Sequence, residues 1–254
     1  MQSGQINRVL RSDFPQAALR WVQRRWERLT RWPPVGTVRF GSLRRVAPIS
    51  RQFGLDRGQA IDRYYIESFL SRHAGDICGH VLEIGDDRYT RKFGDGRVTR
   101  SDILYPHSGN PQATLTADLT NAQDIPSNAF DCIIFAQTLQ FIYDLRAALS
   151  HLHRILKPGG KLLATLPGIS QISRYDMDRW GDFWRFTSLS ARRLFEESFP
   201  AGNVTVQAYG NVLVAVAFLE GLALEELERE ELNQSDGDYE LLITVRAVKR
   251  GDGS

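Results

Sequence analysis

The spacing of apolar residues changes near residue 80. Before it, Leu19, Val22, Trp26 and Leu29 recur at intervals of three and four, with Arg20, Arg24, Arg28 and Arg31 on another face. This predicts an amphipathic helix that stops at Pro33 and Pro34, where an amide donor is lost. Ile61, Tyr65 and Phe69 predict a second helix within "AIDRYYIESFLSRHA". After residue 80, short apolar runs bounded by turns predict strands over 81–84, 97–101, 113–116, 132–136 and 161–166, with two late strands in "NVTVQAY" and "YELLITVRAV". Between them, "YDLRAALSHLHRIL" predicts a helix that starts near Asp144 and ends at "KPGG". "SLSARRLFEESF" predicts another, capped at Ser188, and "NVLVAVAFLEGLALEELEREEL" reads as one helical stretch. That last stretch is apolar on more than one side up to Leu222, which suits packing under a lid or in a dimer contact.

Strands alternating with helices predict an α/β fold, a doubly wound Rossmann-like sheet of seven strands with an N-terminal helical extension. The first crossover has only about ten residues, among them Gly94 and Gly96, so any helix there is very short. The next connection, "ILYPHSGNPQ", has no helical period. We divide the chain into an extension over 1–56 and a sheet domain over 57–250, with core motifs at 80–167 and substrate-side elements at 168–235.

The formal charge is only +2 over 254 residues, yet residues 1–57 hold twelve arginines against Asp13, Glu27 and Asp56. That basic segment raises nucleic-acid modification as an alternative, since phosphate contacts favour arginine. The small total charge and the lack of a recognised binding motif count against it. Trp and Arg residues over 17–32 also allow peripheral membrane contact. No apolar run is long enough for a membrane span and no cleavable leader is visible, so the expected location is cytoplasmic. Cys78 and Cys132 are far apart with no CxxC, which predicts neither a disulfide framework nor a metal site.

Three acids fall at predicted strand ends: Glu83 closes the first strand, Asp102 follows the second and Asp118 the third. In a doubly wound sheet, ligands bind beyond the carboxyl ends of the strands where the order reverses, so the three carboxylates are expected to converge there. A carboxylate after the second strand suits a ribose diol, and one after the third suits the amine of adenine.

Together "VLEIG", the Asp102 position, "ADLTNAQDIPSNAFDCIIFAQTLQFI" and "LHRILKPGGKLLATLP" form a long ordered series over residues 80–167 that resembles the class I S-adenosylmethionine-dependent methyltransferases, of the small-molecule, type 11-like kind. The resemblance implies a mostly parallel sheet whose last strand is antiparallel, and S-adenosylmethionine as cofactor. It further implies Glu83 and Gly85 beside the methionine moiety, Asp102 and Ile103 at the ribose, Asp118 and Leu119 at the adenine, and Ala136 and Gln137 at the methyl end. The family usually carries three glycines after the first strand, and here the second and third positions are Asp87 and Tyr89. A sulfonium cofactor has no phosphates to wrap, so the single Gly85 is the one needed, and Asp86 and Asp87 argue against a nicotinamide dinucleotide.

Methyl transfer by in-line displacement needs positioning more than a fixed set of catalytic groups. Gln140, His107 and Asp182 are the candidates for a catalytic role, while His73, His80, His151 and His153 read as structural. After the fifth strand, "PGISQISRYDMDRWGDFWRFTSLS" interleaves aromatics with charges, and Trp180, Trp184 and Arg185 are candidate substrate contacts. Arg63 and Tyr64, with Arg57, offer a second wall, and Gln140 can reach the acceptor. The expected acceptor is a small molecule or saccharide in glycan or secondary-metabolite biosynthesis, handled by a monomer or homodimer. The alternative of another class is a methyltransferase-like binding module without turnover.

Overall fold

The structure, a computed structural model, describes residues 20–22, 25, 26 and 32–251. Residues 20–22, 25 and 26 are helical, and the rest of the helix expected over 17–32 lies outside the described residues. The chain divides into two compact units, residues 1–46 and 47–254. Residues 47–56 are tied to the larger unit, where the amides of Ile49 and Ser50 both donate to Glu220 O at 2.8 and 3.0 Å.

Seven strands form one sheet: β1 (Gly79–Ile84), β2 (Val98–Tyr105), β3 (Leu115–Thr116), β4 (Phe130–Ala136), β5 (Leu156–Pro167), β6 (Val204–Tyr209) and β7 (Leu242–Val248). Their order is β3-β2-β1-β4-β5-β7-β6. The pairs β1–β2, β1–β4, β2–β3 and β4–β5 are parallel, and β7 runs antiparallel to both β5 and β6. The order reverses between β1 and β4, which opens a crevice beyond their carboxyl ends.

Period-two alternation sends side chains to two cores. Leu82, Ile133, Phe135 and Leu162 face a layer built by α3 (Leu145–Ile155) and α5 (Ser188–Glu196), with the short α4 (Arg174–Met177) between them in the chain. Val81, Cys132, Ile134 and Leu163 face α1 (Ile61–Arg72) and α6 (Val212–Glu220), joined by Leu232 of α7 (Arg229–Asn233) and Tyr89 of α2 (Arg88–Gly94). Each fully buried large aliphatic or aromatic side chain contributes about 1.5–3 kcal/mol. The first crossover helix, α2, has seven residues, as the spacing of its glycines predicts, and residues 106–114 after β2 form no helix.

Three helix boundaries differ from the sequence expectation. Helix α3 starts at its Asp144 cap, which accepts from Ala147 N, but it ends at Ile155: Leu156 pairs with Phe130, so "KPGG" opens β5 instead of closing the helix. Helix α5 is capped by Thr187, not Ser188, through a reciprocal box with Ser190. The stretch read as one helix after Asn211 breaks at Gly221, whose φ of +72° is left-handed and whose missing Cβ leaves room for Ser50 O, 2.2 Å from where that atom would sit. Among the described residues, no helix is long and apolar enough to cross a membrane.

Candidate active site

The turn after β1 has one left-handed residue, Gly85, at φ +86°. A side chain there would meet no protein atom within 4 Å, so the backbone of Gly85 borders open space. Glu83, 3% exposed, anchors the start of α2: its carboxylate accepts from Tyr89 N at 3.1 Å, Thr90 N at 2.7 Å and Thr90 Oγ1 at 2.8 Å. Both its oxygens thus cap the first turn of that helix. Burial pushes the Glu83 carboxyl up to about 7, against the three hydrogen bonds, which favour the ionised form. The crowded acids of the turn are neutralised locally. Asp86 accepts a two-pronged bond from Arg88, whose hydrogen bonds outweigh burial and hold it below the usual carboxylate value, and Asp87 pairs with Arg91 at 2.6 Å.

Beyond the strand ends lies a cleft of about 1500 Å³. A single ligand fills ~300–1000 Å³, so the space admits two. Glu83, Gly85, Asp118, Leu119, Ala136, Gln137, Gln140, Arg63, Trp180, Asp182 and Arg185 of the sequence candidates line it. Asp118 is exposed with Oδ1 accepting from Thr120 N at 2.8 Å, and Leu119 is buried beside it. At the end of β4, Gln137 adopts a left-handed φ of +48°, and its amide donates to Thr165 O at 3.0 Å. Gln140 is 5% exposed; its Nε2 donates to Gln137 O at 2.9 Å, while its Oε1 has no partner. Rotating that amide would set two oxygens against each other, so its orientation follows from the backbone.

Asp102 is not in the cleft. The apolar run Ile103, Leu104, Tyr105 continues β2 beside β1 as far as Ile84, so Asp102 pairs in register with Leu82 instead of following the strand. Its carboxylate accepts from His80 Nε2 at 2.6 Å and is bridged by Arg100 at 3.0 Å, near the start of β1. Ile103 is likewise buried outside the cleft, and the strand end belongs to Tyr105, which lines it. Two expected acids, not three, therefore meet at the sheet edge.

Several substrate-side candidates are spent on structure. Arg185 donates to both oxygens of Asp182 at 2.6 and 2.8 Å and to the carbonyls of Gln171 and Trp184. Asp182, its side chain 1% exposed, also accepts from Ser173 N at 3.0 Å. These bonds outweigh burial and hold Asp182 below the usual carboxylate value, which leaves it a poor base. Trp184 donates to Ile142 O at 3.1 Å and packs on the core, Tyr64 donates to Asn233 Oδ1 at 2.7 Å, and Arg57 is paired with Glu226. None of these last three lines the cleft. His107 is exposed outside it, stacked on Trp180 with ring centres 4.7 Å apart. Tyr143, 71% exposed, lies edge-on to Phe183, and with Tyr175 these rings line the mouth. The sequence reading missed Asp62, Tyr105 and Tyr143; Asp62, in the first turn of a predicted helix, reads there as an ordinary complement to the helix dipole.

Residues 77–164 match the methyltransferase domain family. The match spans the strands from β1 to β5 and so both sides of the switch point. A curated relative, the ubiquinone/menaquinone biosynthesis C-methyltransferase UbiE of Rhizobium meliloti, is 28% identical over 116 residues, covering 45% of this chain and 38% of that protein. The chain thus matches well under half of that relative's length. Among solved structures, a SAM-dependent methyltransferase from Archaeoglobus fulgidus is 13% identical, covers 74% of this chain and 94% of its own, and has a TM-score of 0.48. The N-methyltransferase NodS from Bradyrhizobium japonicum, in complex with S-adenosyl-L-homocysteine, is 15% identical, covers 76% and 89%, and has a TM-score of 0.47.

Proposed function

We propose that this chain is a cytoplasmic enzyme that transfers a methyl group from S-adenosylmethionine to a small-molecule or saccharide acceptor. The observation that carries the reading is one continuous cleft at the β1/β4 switch, large enough for two ligands, with Gly85 open to it on one side and an aromatic mouth on the other. The donor set fits the cofactor. Glu83 holds the Gly85 turn through α2, Asp118 keeps one oxygen for the adenine amine beside Leu119, and Ala136 and Gln137 border the methyl end. When bound, S-adenosylmethionine supplies a methyl carbon on a positive sulfur.

On the acceptor side, Gln140 Oε1 accepts a hydrogen from the O–H or N–H that is to be methylated and so aims its lone pair. The rings of Tyr143, Tyr175 and Phe183 grip the rest of the acceptor at the mouth. Calorimetry tests the cofactor: S-adenosylmethionine binds and NADH does not, and the reverse, or silence with both, overturns the reading. Transfer of labelled methyl groups into a metabolite extract separates an enzyme from a binding module.

A quinone acceptor is a second reading, favoured by the exposed flat rings at the mouth and by the name of the Rhizobium relative. Label recovered in the lipid phase instead of the water-soluble fraction selects it.

A further inference from the structure

Among the described residues, six arginines line the cleft: Arg51, Arg63, Arg88, Arg174, Arg179 and Arg185. Four are engaged. Arg63 donates to Tyr89 Oη at 2.5 Å, Arg88 holds Asp86, Arg179 donates to Tyr175 O at 2.7 Å while lying over its ring, and Arg185 holds Asp182. The guanidinium groups of Arg51 and Arg174 have no partner among the described residues, and both residues are exposed.

Their backbones, by contrast, are held. Ser50 N donates to Glu220 O and Gln52 N to Ser50 Oγ, each at 3.0 Å, so Arg51 sits between two anchored residues, and Phe53 packs on Phe218 just beyond. Arg174 follows Ser173, whose amide donates to Asp182 Oδ2 at 3.0 Å, and its own carbonyl accepts from Asp178 N at 3.2 Å. The two segments adjoin: Gln171 Nε2 donates to Arg51 O at 3.2 Å, and Gln171 O is held by Arg185 at 2.6 Å. A cation carried on a fixed backbone beside a cavity, with no carboxylate for a partner, is prepared for an anion that the protein does not supply.

The acids of the cleft leave that charge uncompensated. Asp86 and Asp182 are spent on their own arginines, Glu83 caps α2, Asp118 and Asp144 accept from Thr120 N and Ala147 N, and Asp176 accepts from Ser173 Oγ at 2.6 Å. Arg51 and Arg174 also lie outside residues 77–164, the span matched to the methyltransferase domain family, and Arg174 adjoins Tyr175, one of the rings at the mouth. They therefore belong to the part of the cleft that is free to fit the acceptor.

We propose that the acceptor is a net anion, with a carboxylate or phosphate group apart from the atom that is methylated, and that Arg51 and Arg174 donate to that group. Both kinds of oxyanion accept the paired N–H groups of a guanidinium. The inference rests on the proposed function and narrows it, selecting charged small molecules or saccharides and excluding a neutral quinone.

The test uses the full chain and S-adenosylmethionine labelled in its methyl group. A metabolite extract is split on an anion exchanger at about pH 7, and the retained and unretained fractions are each offered as acceptor. Label is transferred with the retained fraction and its product again binds the exchanger; equal or faster transfer with the unretained fraction overturns the proposal. Digestion of the product with phosphodiesterase and phosphatase abolishes retention if the group is a phosphate and leaves it unchanged if it is a carboxylate. With the retained fraction limiting, Arg51→Gln and Arg174→Gln each slow transfer by roughly tenfold or more, as expected for a lost charge-assisted bond. Saturating amounts of that fraction restore the rate, and Arg174→Lys, which keeps the charge without the fork, recovers part of the loss. Neither side chain has a protein partner to lose, so both variants keep the wild-type melting temperature and bind S-adenosylhomocysteine within about twofold of the wild type. An unchanged rate in either variant overturns the assignment, and so does an equal loss of S-adenosylhomocysteine affinity, which would place the arginines on the cofactor. A wild type that binds no S-adenosylhomocysteine, or labels nothing in either fraction, rejects the methyltransferase reading and the inference with it, whereas transfer to an unretained acceptor rejects the inference alone.

Discussion

Glu83→Gln sets burial against hydrogen bonding within one side chain. The wild-type carboxyl is 3% exposed and is pushed from an ordinary 4.5 up to about 7, so the folded protein holds its proton more tightly than the unfolded chain. A raised carboxyl value means stability that is fully present below about pH 4.5 and lost as the pH rises through about 7. At ~1.4 kcal/mol per pH unit, the shift corresponds to about 3 kcal/mol. Glutamine cannot titrate, and every other group is common to both proteins. The protonated carboxyl keeps a second oxygen able to accept, whereas the amide sets an NH2 against a backbone N–H, so the variant starts below the wild type near pH 4.5 and the comparison is the change of that difference with pH. Between pH 4.5 and pH 8 the wild type loses up to about 3 kcal/mol relative to the variant. For a domain of this size that is ~6–12 °C in the difference between melting temperatures, read by calorimetry without ligand across the pH series. If the wild type instead gains on the variant as pH rises, the three hydrogen bonds outweigh desolvation, and the argument from burial is wrong.

Asp102→Asn separates the ribose role expected from sequence from the structural one found. Bonds from His80 and Arg100 hold the carboxyl below its usual value despite burial, so its contribution is present near neutral pH and lost as the pH falls through that lowered value. The variant loses about 1–3 kcal/mol at pH 7 in urea unfolding and binds S-adenosylhomocysteine as the wild type does, whereas weaker binding at unchanged stability would restore the ribose role. Arg185→Ala leaves Asp182 buried and unpaired and costs about 3–5 kcal/mol, seen as a lower melting temperature. A raised KM with no thermal change would return Arg185 to the substrate.

The fold was legible because its signals are local. A short apolar run marked β4, three-and-four spacing marked α3, and Gly94 with Gly96 announced a short α2. Asp102 failed for a non-local reason. The last turn of a strand is decided by its neighbour, and Ile84 holds Leu104 in register, so three apolar residues that read as the start of a loop became the end of β2. Trp184 and Arg185 show a different ambiguity: a residue type suited to gripping a ligand is equally suited to tying down the loop that carries it, and both side chains hold loop partners here. Asp62 was hidden by the opposite effect, since an acid in a first helical turn has an ordinary explanation and the missing partner of Oδ1 is visible only in three dimensions.

The glycine-poor turn after β1 reflects the same division of labour. Glycine is required only where φ is positive or where backbone must approach a ligand, and among Gly85, Asp86, Asp87 and Tyr89 the positive φ belongs to Gly85 alone. The remaining positions are free to carry side chains, and those side chains hold the turn: Asp86 on Arg88, Asp87 on Arg91, and the Glu83 carboxylate on two amides of α2. A loop wrapped around a pyrophosphate must give its amides to the ligand. Here the first amides of α2 are given to Glu83, so the turn is already satisfied within the protein. What it leaves open is the space beside Gly85, part of the cleft that Asp62 and Arg63 also line.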